Sequence, residues 1–151
     1  MKKTVAIAGA TGFIGKWFID KYKNDFNIIA LSRNKLKYPE KNDIEWRQVD
    51  LYSISSTTKA LENVDVGIYL VHSMQPSTRM NQGSFEDTDI LLADNFSRAA
   101  EHCKLEQIIY VGGILPKDGY TMSKHLRSRY EVEKTLGLSL IHISEPTRPE
   151  D

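Results

Sequence analysis

Three glycines stand three residues apart in Gly9-Ala10-Thr11-Gly12-Phe13-Ile14-Gly15. They follow an apolar run, Thr4 to Ala8, and precede a stretch of helical periodicity from about Phe13 to Tyr22. Between a strand and a helix, such a loop has a chemical use. The first glycine permits a tight turn, the second lets backbone approach a diphosphate, and the third lets the helix pack closely on the strand. Amide groups at the helix start then face the anion. Read blandly, the same seven residues are a glycine-rich turn with no ligand.

Other candidates end later strands. Ser32-Arg33 follows the second apolar run, where an acid would bond ribose hydroxyls and a cation would accommodate a 2′-phosphate. No acid follows directly, and the planar guanidinium of Arg33 suits phosphate oxygens, so NADP(H) is expected in preference to NAD(H), which stays possible. The alternative is that Arg33 and Lys35 are solvated loop charges. Asp50-Leu51 ends the third run beside the expected adenine position, where Asp50 either accepts from the adenine amino group or caps the next helix. Val71 and His72 close the fourth run on the ligand-facing side, and His72 either lines the nicotinamide-ribose site or is a structural histidine. Tyr120 and Lys124, four residues apart, share one face of a helix. Arg127 and Arg129 further on suit either an anionic partner or a solvated helix face.

These residues need a frame, and the chain supplies alternating short β-branched runs and helical stretches, the signature of βαβ units. Strands are predicted at Thr4 to Ala8, Asn27 to Leu31, Glu45 to Val49, Val66 to Val71 and Gln107 to Val111. Helices are predicted at about Phe13 to Tyr22, Ser55 to Glu62, Phe85 to Cys103 and Thr121 to Leu136. In the first, Ile14, Trp17 and Phe18 are expected on one side; in the third, Leu92, Phe96, Ala99 and Cys103 turn toward the sheet. The segment Ser73 to Gly83 reads as a polar loop leaving the carboxyl end of the fourth strand. The expected fold is an open, doubly wound parallel α/β sheet in the order 3-2-1-4-5.

Composition bounds the function. With 151 residues, one core is expected, and 20 basic against 20 acidic side chains leave no electrostatic footprint for nucleic acid. No run of apolar residues approaches a membrane span, and the amino terminus lacks a signal-peptide core. The single cysteine, Cys103, has no internal disulfide partner and reads as a buried reduced thiol, so a cytoplasmic setting is expected.

With the glycine loop, Asp50-Leu51, the string Tyr69-Leu70-Val71-His72-Ser73-Met74 and Asn95-Phe96 leading to Ala99-Ala100, the chain resembles the atypical and extended short-chain dehydrogenase/reductase superfamily, nearest its NmrA-like branch. Leu70 to Met74 and His125 to Val132 look like a bacterial NAD(P)H-binding family whose longer members carry a C-terminal domain. The resemblance covers about residues 3 to 137. It implies a truncated NAD(P)H-dependent oxidoreductase in which Tyr120 is the proton donor and Lys124 lowers its pKa. A helix-start coincidence is the other reading of that pair, because the superfamily's serine at the end of the fifth strand is replaced here by Gly112-Gly113. A non-catalytic NAD(P)H sensor acting through a partner protein, or a nucleotide-bound scaffold subunit, is the alternative function.

Leu138-Ser139-Leu140-Ile141-His142-Ile143-Ser144-Glu145-Pro146-Thr147-Arg148-Pro149 looks like a translated sequencing-library adapter. The expected division is therefore an incomplete Rossmann domain at 1–137 and a non-native tail at 138–151. The apolar run Leu138 to Ile143 is alternatively a sixth strand.

Overall fold

Short β-branched runs followed by helices bury best as a parallel sheet with helices on both faces, and this is the architecture found. The computed structural model describes residues 1–34, 44–71, 85–112, 132, 134–136 and 142–146. In chain order these form β1 (Thr4–Ala8), α1 (Phe13–Tyr22), β2 (Asn27–Ser32), β3 (Glu45–Gln48), α2 (Ile54–Ala60), β4 (Val66–Tyr69), α3 (Phe85–His102), β5 (Gln107–Gly112) and β6 (His142–Pro146). Residues 132 and 134–136 are helical.

The sheet runs β3-β2-β1-β4-β5-β6 with every pair parallel. Its first five strands keep the expected order 3-2-1-4-5. The sixth comes from the tail and pairs with β5 from Ile108 opposite His142 to Gly112 opposite Pro146. Chain order reverses between β1 and β4, which opens a crevice at their carboxyl ends, directly above Gly9.

Strand alternation divides the core into two layers. Val5 and Ile7 of β1, Ile28 and Ala30 of β2, and Val66 and Ile68 of β4 pack with Ile19 of α1. Ala6, Ala8, Ile29, Leu31 and Tyr69 point to the other face and meet Ala93, Phe96, Ala99 and Ala100 of α3. The expectation for α3 holds at Leu92, Phe96 and Ala99, all buried, whereas Cys103 lies just past the helix end and is half-buried.

One expectation about α1 is corrected. Ile14 and Trp17 do not join Phe18 against the sheet; they remain 45% and 50% exposed, and the buried residues of α1 are Gly15 and Ile19. Packing of Gly15 on the glycine loop sets the phase of the helix, and this overrides the pull of the larger side chains. Element ends also shift by a residue or two: β2 extends to Ser32, β3 ends at Gln48, α2 covers Ile54–Ala60 and β4 ends at Tyr69.

Candidate functional site

The loop after β1 is shaped by two glycines that accept no substitute. Gly9 holds φ at +91°, and a Cβ there would come within 3.1 Å of the Leu70 backbone. A Cβ on Gly15 would lie 2.7 Å from the Gly9 carbonyl oxygen and 2.8 Å from Ala10, closer than side chains are tolerated. Gly12 is different. Its φ of −79° and ψ of 178° suit any residue, and a Cβ would meet only the Gly9 carbonyl, at 3.5 Å. The fold does not need a glycine at 12, and the space beside it is open.

Gly12 is also the N-cap of α1, and neither a capping side chain nor an acidic residue of the first turn occupies the helix start. The amides of Phe13, Ile14 and Gly15 have no carbonyl within the helix to bond, and they sit at the positive end of its dipole. A cavity of about 200 Å³ opens there, lined by Gly9, Gly12, Phe13, Ile14, Gly15, Leu70, Val71, Tyr110 and Val111. It lies over the carboxyl ends of β1, β4 and β5. Ala10 is buried and Thr11 exposed. The donor set and the missing Cβ at Gly12 fit a diphosphate.

A larger cleft, about 930 Å³, is lined by Arg33, Arg47, Gln48, Val49, Asp50, Tyr52, Ser56, Lys59, Ala60, Glu62 and Asn63. It includes no residue of the glycine loop, so size alone is a poor guide to the site. Only its Arg33 and Asp50 rim coincides with the adenosine end expected from the sequence. Much of the rest is structural: Arg47 donates to the carbonyls of Ala60 and Glu62 at 2.9 and 2.8 Å and pairs with Glu45 at 2.6 Å.

The rim where the sequence leads one to expect adenosine is built from local turns. Ser32 Oγ accepts the Asn34 amide at 3.1 Å, and the Arg33 carbonyl accepts from Gln48 Nε2 at 3.3 Å, so the backbone about Arg33 is held while its side chain is exposed. Among the described residues the guanidinium pairs with no carboxylate. Asp50 is not the helix cap: Ser53 caps α2 by accepting the Ser56 amide at 3.1 Å. Asp50 instead accepts the Tyr52 amide through Oδ1 at 3.1 Å, while its own amide donates to Ser56 Oγ at 2.9 Å. Leu51 is tethered through its carbonyl, which accepts from Asn95 Nδ2 at 2.8 Å.

His72, Tyr120, Lys124, Arg127 and Arg129 lie outside the described residues. Leu70, Tyr110 and Val111 line the cavity without having been singled out from sequence; their positions at the carboxyl ends of β4 and β5 were the available signal. Tyr69, just beneath, is fully buried. Burial pushes its phenol well above the usual range, and Asp89 and Tyr110 add to the effect. Among the described residues no cluster of three or more histidine, cysteine or carboxylate side chains suits a metal, and no helix is long and apolar enough to cross a membrane.

Strand order, crossover loop and open helix start together define a Rossmann-type nucleotide-binding domain. The chain belongs to the NAD(P)H-binding family, whose model matches residues 9–136. It is 32% identical over 118 residues to the auxiliary protein GraX of Staphylococcus aureus, a match covering 75% of this chain and 37% of that protein. The chain thus spans little more than a third of the curated relative's length. Among solved structures, the Citrobacter sp. triphenylmethane reductase complexed with NADP(H) superposes with a TM-score of 0.74 at 21% identity, over 93% of this chain and 48% of that one. The Bordetella bronchiseptica enzyme WbmG in complex with NAD gives 0.77 at 12% identity, over 95% and 52%. At these identities the likeness concerns the fold.

Proposed function

We propose that this domain holds NADP(H) in preference to NAD(H), with the diphosphate over Gly9 and Gly12 on the amides of Phe13, Ile14 and Gly15, adenosine between Ser32-Arg33 and Asp50-Leu51, and the nicotinamide end toward Val71 and His72. Ala10 and Thr11 complete the loop. The observation that carries the preference is Arg33: it follows β2 directly, no acid stands beside it, and no carboxylate among the described residues claims its guanidinium. A 2′-phosphate gains a planar pair of donors there, whereas a ribose diol gains little. Calorimetry on Arg33→Ala is the test. NADPH affinity falls by about tenfold or more while NADH affinity stays within about twofold; equal losses remove the 2′-phosphate contact.

In this reading the domain belongs to an oxidoreductase of the atypical short-chain type, working in the cytoplasm. A nicotinamide held there would supply hydride, while this chain's residues orient it and Tyr120 and Lys124 serve proton transfer. A second reading, a redox sensor without turnover, is favoured by Gly112-Gly113 where a serine would polarise a carbonyl, and by the description of the Staphylococcus relative as an auxiliary protein. We further read 138–151 as non-native, so that β6 is a chance apolar run laid on the edge of β5; the genomic sequence beyond Gly137 tests this directly.

A further inference from the structure

The phase that Gly15 imposes on α1 has an unusual result: the outward centre of the helix is aromatic. At about 100° per residue, Phe13 and Trp17 lie on the line opposite the buried pair Gly15 and Ile19. Phe13 is 88% exposed and Trp17 50%, with Ile14 beside them at 45%. The Lys21 ammonium sits 5.1 Å from the Trp17 ring centroid and 5.7 Å from that of Tyr22. Lys16 and Asp20 flank this stripe on one side. They are four residues apart on one helix, yet among the described residues neither is in an ion pair.

We propose that this face of α1 is a homodimer interface, in which two copies of the chain pack their first helices antiparallel about a two-fold axis near Trp17. The charge pattern selects a second copy as the occupant. In an antiparallel pair each flank of one helix meets the same flank of its partner, so Lys16 faces the partner's Asp20 and Asp20 faces the partner's Lys16. One helix therefore carries both halves of two reciprocal ion pairs, and Phe13 and Trp17 fill the centre with the aromatic anchors that interfaces favour. The other flank brings Lys21 toward the partner's Phe13, a third ring for its ammonium. A contact made by a ten-residue helix is small, so the association is concentration-dependent.

Charge exchange tests the geometry. Sedimentation of the 151-residue chain over about two decades of concentration around the micromolar scale reads the monomer–dimer balance. Lys16→Glu or Asp20→Lys alone places like charges opposite each other twice and weakens association by at least about tenfold. Lys16→Glu with Asp20→Lys restores it to within about threefold, because both cross pairs re-form with their signs exchanged. Trp17→Ser abolishes it, with the helical circular dichroism unchanged as the check on folding. A monomer at all concentrations, or a double variant no better than the single ones, overturns the proposal. So does a dimer indifferent to Trp17→Ser.

Discussion

Asn95, 8% exposed in the middle of α3, donates its side-chain amide to the carbonyl of Leu51 at 2.8 Å, so a helix on one face of the sheet holds the turn that follows β3. That turn carries Asp50, whose carboxylate is already folded back on the Tyr52 amide. Two residues far apart in sequence thereby fix the rim of the proposed adenosine site. Asn95→Ala leaves the Leu51 carbonyl without its donor and costs about 1–2 kcal/mol in urea unfolding. Asn95→Asp costs more, since a carboxylate presents a second acceptor to that carbonyl. A variant as stable as the parent would show that the bond is replaced by water.

The glycines of the first loop separate folding from binding. Gly15→Ala pushes a methyl group into Gly9 and Ala10 and destabilises the domain by about 1–3 kcal/mol. Gly12→Ala meets no such obstacle; it costs less than about 1 kcal/mol, as expected for a poorer helix cap, but its methyl group stands in the proposed diphosphate space and dinucleotide affinity falls by at least about tenfold. Thermal melts paired with calorimetry distinguish the two. Full affinity in folded Gly12→Ala would place the diphosphate elsewhere.

Cys103 donates through its thiol to the Thr58 carbonyl at 3.3 Å, and burial, aided by Glu62, pushes its pKa up. The thiolate is the reactive form, so a raised pKa means less of it at neutral pH. Alkylation by iodoacetamide at pH 7 is therefore slower than for a free thiol in a model peptide and rises with pH beyond the point where the peptide has levelled off. Faster reaction than the peptide at pH 7 would contradict this.

The proposed proton transfer is testable by substitution at Tyr120. Tyr120→Phe lowers NADPH-dependent reduction of a responsive carbonyl compound by about a hundredfold or more at saturating coenzyme, and NADPH affinity is unchanged. Unaltered turnover removes Tyr120 from the chemistry. If no carbonyl compound is reduced by the parent, the sensor reading gains.

What the sequence revealed divides along a physical line. The glycine loop was legible because its requirements are set by backbone: a positive φ at Gly9 and a contact at Gly15 too close for a Cβ leave one residue type. The order of the first five strands was legible too, since buried parallel strands read as apolar runs and the crossover rules leave few arrangements. The facing of α1 was not. Periodicity scores Trp17 and Ile14 as core because they are apolar, but the helix is rotated by a contact between Gly15 and a loop, and glycine carries no weight in such a pattern. Asn95 was equally opaque: its partner lies 44 residues away, and nothing near it in the chain marks a donor aimed at the Leu51 carbonyl.

The sheet is sealed by side chains from α1 on one surface and from α3 on the other, with Ala6 and Ala8 meeting alanines across the α3 layer. Neither surface can accept a bulkier occupant without dismantling the interior. Innovation in such a molecule is confined to the rim where the strands end, and loops after β2, β4 and β5 can be rewritten there while the tiled interior stays as it is. Relatives with unlike tasks can then share one chassis.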